Sequence, residues 1–242
     1  ERRVDIFFGM FLPKVIEKEL CIQVDKVIPE FPIHKALLEC TSGCPSKADS
    51  HRSVKVDFAV FGRRKEKRQI ILVELKTEME SLDKKQLQKM KKAACAGSEK
   101  LLEGVQYAAI HSKSKHKYAH LIWKLLDLKC LQLDSTEYSD FKRVEFRKKG
   151  PRLNSIFKGL KIDEEWTNVC VSLVVIHPAE PKKVLCAKFP EGLPSIFSGI
   201  TLGQFASVIE DKCEPFGSDI RIFTDYLRTW DKVEAGKVTP WP

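Results

Sequence analysis

Residues 54–77 read VKVDFAVFGRRKEKRQIILVELKT and contain the clearest local pattern in the chain. Apolar residues alternate along 54–60, which is typical of a β-strand with one buried face. A charged stretch at 63–68 follows, and then an apolar run at 70–75. Two apolar segments separated by a short charged turn predict a β-hairpin.

The register of this hairpin determines which side chains meet. If Gly62 pairs with Gln69, Asp57 lies directly opposite Glu74, on the same face and about 5 Å away at Cβ. Lys76 is two residues beyond Glu74, so it shares that face. We therefore expect two carboxylates and one ammonium group to meet at the open end of the hairpin.

Two carboxylates at that separation repel each other unless a cation lies between them. Mg²⁺ suits such a pair, because it takes one or two carboxylates, keeps several waters and binds a substrate phosphate. Lys76 would then hold the attacking water or stabilise the developing charge on the phosphate. The alternative is a structural ion pair, in which Lys76 only neutralises Asp57 or Glu74.

Asp57 followed by Glu74-x-Lys76 after an apolar strand resembles the motif of the PD-(D/E)XK nuclease superfamily, which includes the restriction endonucleases. The resemblance covers about residues 50–96. It extends to the flanks through the order of elements, which is helix, strand, hairpin and helix. The residue before Asp57 is Val56 and not proline, a departure that is frequent in the family.

This resemblance implies an α/β fold with a mixed central β-sheet flanked by helices, restriction-endonuclease-like, as a single domain over residues 1–242. It implies Mg²⁺-dependent hydrolysis of phosphodiester bonds, of DNA more than RNA, with Mn²⁺ as a substitute metal. Asp57, Glu74 and the backbone carbonyl of Leu75 would bind the metal, and Lys76 would assist the water. A homodimer is compatible with this function. The alternative is a non-catalytic nucleic-acid-binding or protein-interaction module on the same fold.

The family often carries an acidic residue on its first helix and a glutamine on the helix after the triplet. Glu19 lies on the inward face of the predicted helix 4–20 and is a candidate metal ligand, although a solvated helix end explains it as well. Gln86 lies on the inward stripe of the next helix, where a polar group needs a partner. The site is one candidate partner, and solvent at the edge of the core is the other. Glu30, in an extended segment, is a third acidic candidate.

The chain carries 42 Lys and Arg against 33 Asp and Glu, a net charge of +9, which favours an anionic partner such as nucleic acid. Lys89 and Lys92 follow the motif on the next helix, so they are the first candidates for substrate contact. Arg63 and Arg64 in the turn are further candidates. The alternative for these groups is a solvated surface.

The rest of the chain shows helical and strand patterns in turn. Residues 22–33 are extended and belong at a sheet edge, because prolines interrupt them. A helix begins after Thr77 and stops and restarts at Gly97–Ser98. The remaining expectations are strands at Tyr107–Ile110, Arg143–Arg147 and 169–176, and helices at 201–212 and 219–230.

Eight cysteines are spread along the chain, several of them in apolar segments, and no apolar run is long enough to cross a bilayer. We expect reduced thiols and an intracellular location, in cytoplasm or nucleus. Cys40 and Cys44, with His34 and His51 nearby, could bind zinc, although their spacing does not match that of the usual zinc motifs. His177 follows an apolar strand, where a general acid and a structural histidine are the two alternatives.

Overall fold

The computed structural model describes residues 2–34, 53–78, 83–143, 152–178, 186, 196–212 and 217–234. Its helices are α1 (Arg2–Leu20), α2 (Lys84–His111), α3 (Lys115–Asp127), α4 (Ser135–Arg143), α5 (Arg152–Gly159), α6 (Leu202–Lys212) and α7 (Gly217–Glu234), with a 3₁₀ turn at Glu164–Trp166. Its strands are β1 (Gln23–His34), β2 (Ser53–Arg64), β3 (Lys67–Leu75), β4 (Leu131–Gln132), β5 (Lys161–Ile162), β6 (Cys170–His177) and β7 (Phe197–Thr201). None of the helices in these ranges has both the length and the apolar composition of a membrane span.

Five strands form a mixed sheet in the order β1-β2-β3-β6-β7. β1, β2 and β3 are antiparallel neighbours, whereas β6 runs parallel to β3 and β7 parallel to β6. The predicted hairpin is confirmed, because Gly62 pairs with Gln69 and the same register continues to Phe58 and Val73. The proline-containing strand is confirmed at the sheet edge. The chain is thus an α/β protein with a mixed sheet flanked by helices.

The side chains of β3 alternate between the two faces of the sheet, and this alternation divides the buried residues into two cores. Ile70 and Leu72 face one side, where α2 and its neighbours cover them, and we call this the α2-side core. Ile71 and Val73 face the other side, where α1, α6 and α7 cover them, and we call this the α1-side core. Each face is sealed by apolar side chains from separate helices, so both faces of β3 are buried.

Helix α2 begins at Lys84 and not directly after Thr77, but it breaks at Gly97 as the sequence predicts. The Asp83 side chain caps it by accepting from the backbone N–H of Lys85 at 3.0 Å. Gly97 interrupts it with a φ of 85°, a conformation that glycine adopts without a steric cost. Just after the break, the Ser98 hydroxyl donates to the carbonyl of Trp166 at 2.7 Å, which ties α2 to the chain that enters β6.

One expected strand is wrong: Tyr107–Ile110 belongs to α2. Its apolar residues continue a helical stripe that starts at Leu101 and includes Val105 and Ala109, all of them buried in the α2-side core. Four residues are too few to separate a period of two from a period of 3.6. For the expected strand Arg143–Arg147, Arg143 ends α4 and the remainder lies outside the described residues.

Cys40, Cys44 and His51 of the suggested zinc cluster also lie outside the described residues. His34 is described, and it is a buried residue whose ring lies 4.7 Å from the ring of Tyr107. The strand at 169–176 is confirmed as β6, and the two C-terminal helices are confirmed as α6 and α7.

Gly62 allows β1 and β2 to approach closely beside the shift in their register. A Cβ at Gly62 would lie 2.3 Å from the carbonyl oxygen of Gln23, which is a backbone atom with little freedom to move. We expect Gly62→Ala to destabilise the fold by about 1–3 kcal/mol, the usual cost of overpacking. Urea unfolding checks this, with Gly9→Ala as the control, because a Cβ there meets only the ring edge of Phe58 at 3.3 Å. Equal loss of stability in the two variants would contradict the prediction.

Candidate functional site

The site lies at the carboxyl end of β3, where the strand leaves the sheet. Glu74 and Lys76 follow the alternation of Ile70 and Leu72, so they lie on the face that α2 covers. The backbone N–H of Lys76 donates to the carbonyl of Ile176 at 2.9 Å. This bond extends the ladder with β6 by one residue and holds Lys76 beside the sheet.

Glu74 is a buried carboxylate whose two oxygens differ in their hydrogen bonding. The residue is only 1% exposed. Its Oε1 atom accepts from Lys76 Nζ at 2.7 Å and from Gln86 Nε2 at 2.5 Å. Its Oε2 atom is equally buried, and no donor in the described part of the chain bonds to it. A buried carboxylate oxygen without a donor is costly, so this atom marks a place where a proton or a cation would be stabilising.

The surroundings of Glu74 raise its pKa from 4.5 to about 7. Burial is the largest cause, because it disfavours the charged form, and the negative charge of Asp57 acts in the same direction. The hydrogen bonds and charge of Lys76 and the hydrogen bond of Gln86 oppose this rise without cancelling it. Near neutral pH the carboxyl group therefore exists as a mixture of charged and neutral forms, and a cation would shift it to the charged form.

Asp57 joins the site through the backbone of the triplet. The ladder between β2 and β3 ends at Phe58 and Val73, and at the next position the Asp57 carboxylate accepts from the N–H of Leu75 at 2.7 Å. The predicted register therefore brings Asp57 to the triplet, although its side chain replaces a ladder hydrogen bond. Asp57 is half-buried, and its charge is felt at Glu74.

The alternation of β1 and of β2 slips by one residue at this position. Val56 and Ala59 of β2 both face the α2-side core although they are three residues apart. Ile28 and Phe31 of β1 do the same, and Glu30 between them has a φ of 50°, in the left-handed region. Local irregularities of this kind are frequent beside functional sites, where they redirect a side chain.

These groups fit a hard divalent cation with oxygen ligands. Asp57 and Glu74 supply two carboxylates, and the backbone carbonyl of Leu75 between them is the third protein oxygen that the family resemblance names. Within the described ranges no cluster of three or more His, Cys, Asp or Glu residues forms that could hold a metal. Mg²⁺ needs only one or two carboxylates and completes its shell with water and phosphate, so the donor set suits Mg²⁺ better than zinc.

The helix after the triplet contributes the glutamine that the sequence indicated. Gln86 reaches Glu74 from the first turns of α2, as the inward stripe predicted. Lys89 is exposed and lies one helical turn after Gln86, and Lys92 is exposed almost another turn away. Both lysines are thus on the helix that borders the site, on its solvent side.

Glu19 lies away from the site, which corrects its assignment as a metal candidate. Its carboxylate accepts from Gln204 Nε2 at 3.3 Å. The part of α1 that borders Asp57 is the turn at Ile6–Met10, and Glu19 is about 15 Å further along at 1.5 Å per residue. Helical periodicity shows which face a residue occupies, but it does not show which end of the helix meets the sheet edge.

Arg63 and Arg64 are also distant from the site, so a contact of these residues with nucleic acid would lie outside the site and stays a prediction. They lie at the turn end of β2, about 20 Å from Asp57 at the rise of a strand. Arg63 pairs with Asp25 at 2.9 Å, and Arg64 donates to the carbonyl of Leu20 at 2.6 Å. Both guanidinium groups thus tie the hairpin turn to neighbouring segments.

Two further features lie beside the site, namely His177, for which the sequence left a general acid and a structural histidine as alternatives, and a cleft. His177 ends β6 next to Lys76, is fully buried, and lies on the α2 face by alternation with Leu173 and Val175. The sequence could have predicted that His177 lies beside Lys76, because polar residues that follow adjacent parallel strands meet at one sheet edge. The second feature is a cleft of about 360 Å³ beside Asp57, lined on the α1 side by Ile6 and Met10.

Comparison of the chain with protein-family models, with curated proteins and with solved structures gave no match in any of the three.

Proposed function

We propose that this protein is a metal-dependent nuclease of the PD-(D/E)XK type, with a restriction-endonuclease-like fold, which hydrolyses phosphodiester bonds of DNA in preference to RNA. One observation carries the proposal. Glu74 is buried with a raised pKa, its Oε1 atom is held by Lys76 and Gln86, and its Oε2 atom has no donor among the described residues, all beside the carboxylate of Asp57. A structural ion pair between Lys76 and Glu74 would not need the half-buried carboxylate of Asp57 beside it.

Asp57, Glu74 and the Leu75 carbonyl would hold Mg²⁺, or Mn²⁺ in its place. When bound, the metal supplies a Lewis acid for the phosphoryl oxygen and lowers the pKa of a water molecule. Gln86 donates to one oxygen of Glu74 and the Leu75 N–H donates to one oxygen of Asp57, so each carboxylate is oriented and keeps a second oxygen that could bind the metal. These two hydrogen bonds preorganise the acid pair before substrate arrives.

Lys76 would assist the reaction from a partly sheltered position. Its side chain is 16% exposed and its ammonium group is fixed by Glu74, so it presents a positive charge beside the acid pair. It would orient the attacking water and stabilise the negative charge that develops on the phosphate. The oxygen of water bonds to phosphorus, the bond to the leaving 3′-oxygen breaks, and that oxygen takes up a proton. By analogy with the family, the product keeps a 5′-phosphate.

The order of elements supports the same family. A helix, an edge strand and a hairpin lead into the triplet, a helix follows, and the next sheet strand returns parallel to β3. The net charge of +9 supports an anionic substrate.

Cleavage assays test the proposal directly. The wild-type protein is incubated with supercoiled plasmid, linear duplex, single-stranded DNA and RNA, each with Mg²⁺, Mn²⁺ or a chelator. We expect metal-dependent cutting that the chelator abolishes. Asp57→Asn should lose it by a factor of about 100 or more, because the amide keeps an oxygen for the Leu75 N–H but not the charge for the metal.

The assay also distinguishes the competing functions. Salt-dependent binding of DNA without cutting of any substrate would favour a non-catalytic nucleic-acid-binding module. Neither cutting nor binding would favour a protein-interaction module. Cutting that persists in chelator and in Asp57→Asn would reject the metal site.

A further inference from the structure

A second cleft adjoins the cleft beside Asp57 at the edge strand β1. The first, which we call the apolar cleft, is lined by Ile6, Met10, Val27, Pro29, Asp57 and Phe58. The second, which we call the basic cleft, has a volume of about 440 Å³ and is lined by Lys55, Lys117, Tyr118, His120, Leu121 and Lys124. Pro29 and Glu30 border both clefts. The two clefts therefore adjoin at Pro29 and Glu30, and we call them together the groove, which lies between Asp57 and α3.

The basic cleft presents positive charge in a row. Lys117, His120 and Lys124 are spaced by three and four residues, so they lie on one face of α3. Among the described residues no carboxylate pairs with Lys117 or Lys124 (the nearby Lys55 is paired with Glu30 at 2.6 Å). The two lysines are about 10 Å apart along the helix axis, far enough to contact different phosphates.

The apolar cleft differs in character, because its lining is apolar apart from Asp57 and Glu30, and two of its apolar side chains are exposed. Ile6 is 65% exposed and Met10 is 55% exposed, although both are large apolar residues. Such side chains cannot bind phosphate, but they can contact the flat face of a nucleobase. In a duplex the base faces are stacked on one another, so only an unpaired base could make this contact.

We propose that the groove binds a single nucleic-acid strand, with phosphates on Lys117 and Lys124 and an unpaired base in the apolar cleft beside Asp57. The inference rests on the proposed function, because Asp57 forms part of the wall. It adds the substrate class, which is a single strand or an unpaired segment, and the direction in which that strand leaves the site. A basic groove combined with surfaces for base contact is the usual arrangement for binding single strands.

Binding is measured by fluorescence anisotropy in chelator, with a labelled single strand and a blunt duplex of the same length, over a series of salt concentrations. We expect the wild type to bind the single strand more tightly. Lys117→Ala combined with Lys124→Ala should weaken this binding about tenfold. It should also reduce the slope of log affinity against log salt by roughly 0.7 for each phosphate that no longer binds a lysine. The control pair, Lys67→Ala with Lys161→Ala, removes the same charge from exposed positions outside the groove and should change neither.

Met10→Ser tests the apolar cleft at an exposed position, where folding is not at risk. We expect it to reduce single-strand affinity by roughly fivefold or more and to leave duplex affinity unchanged. If Lys117→Ala with Lys124→Ala changed single-strand affinity no more than the control pair does, binding of the strand in the groove would be refuted. A duplex bound as tightly as the single strand would overturn the substrate class. Chelator prevents metal-dependent chemistry, so binding is measured separately from cutting. If the protein binds a single strand in this groove but cuts no substrate when metal is present, only the nuclease proposal is refuted. If the wild type cuts nucleic acid and the groove variants bind the single strand as tightly as the wild type does, only the groove proposal is refuted.

Discussion

Lys76→Ala is expected to lower metal-dependent cleavage by a factor of about 100 to 1000, the usual effect of removing one preorganised donor that stabilises charge in a transition state. The substitution removes the ammonium group that lies 2.7 Å from Glu74 Oε1. It also removes a group that lowers the pKa of Glu74, so the carboxylate would ionise less readily and bind metal less well. Cleavage rates measured over a metal titration separate these two effects, because saturating metal corrects only the second.

The matched control for Lys76→Ala is Lys67→Ala, an exposed lysine at the other end of the same strand. It removes the same charge and should leave the cleavage rate unchanged. In chelator, Lys76→Ala should still bind nucleic acid, because the groove lysines remain. Cleavage by Lys76→Ala at the wild-type rate with saturating metal would show that this residue is only the partner of Glu74 in an ion pair.

Glu74→Gln is expected to stabilise the metal-free protein at alkaline pH while abolishing its response to metal. The folded state holds the pKa of Glu74 near 7, against an ordinary value of 4.5. Between these two values the folded protein binds more protons than the unfolded chain, so the free energy of unfolding falls as pH rises. Above pH 7 the full cost of the buried charge, about 3 kcal/mol at 1.36 kcal/mol per unit, opposes folding.

The glutamine variant carries no such charge, so its stability should lack this slope. Urea unfolding in chelator at pH 5 and pH 8 measures the difference. We expect the two proteins to be similar at pH 5 and the variant to be more stable at pH 8. Addition of Mg²⁺ at pH 8 should then stabilise the wild type and not the variant, because binding to the folded state alone shifts the equilibrium. If the free energy of unfolding changed with pH equally in the wild type and the variant, the charged form of Glu74 would not be costly in the folded protein.

Local patterns in the sequence were enough to predict the hairpin, its register and the neighbours of the triplet. A period of two along β2 and β3 determines which residues share a face, and the turn determines which residues pair. Gln86 was predicted from the stripe it shares with Met90, and it does contact Glu74. Such inferences succeed because they connect residues that are close in the chain or joined by one tight turn.

Other features depended on contacts between distant segments. Which turn of α1 borders Asp57 depends on how the helix crosses the sheet. The helical period alone therefore could not exclude Glu19 as a metal ligand. The meeting of β1 with α3, which forms the groove, joins residues that lie about ninety positions apart in the chain, such as Pro29 and Lys117. Strand geometry is local, so the order of amino acids was sufficient to predict the hairpin register as far as Phe58 and Val73, where the ladder ends. The burial of Glu74 and the surfaces beside it emerged only from the packed fold, because burial is a property of everything that surrounds a residue.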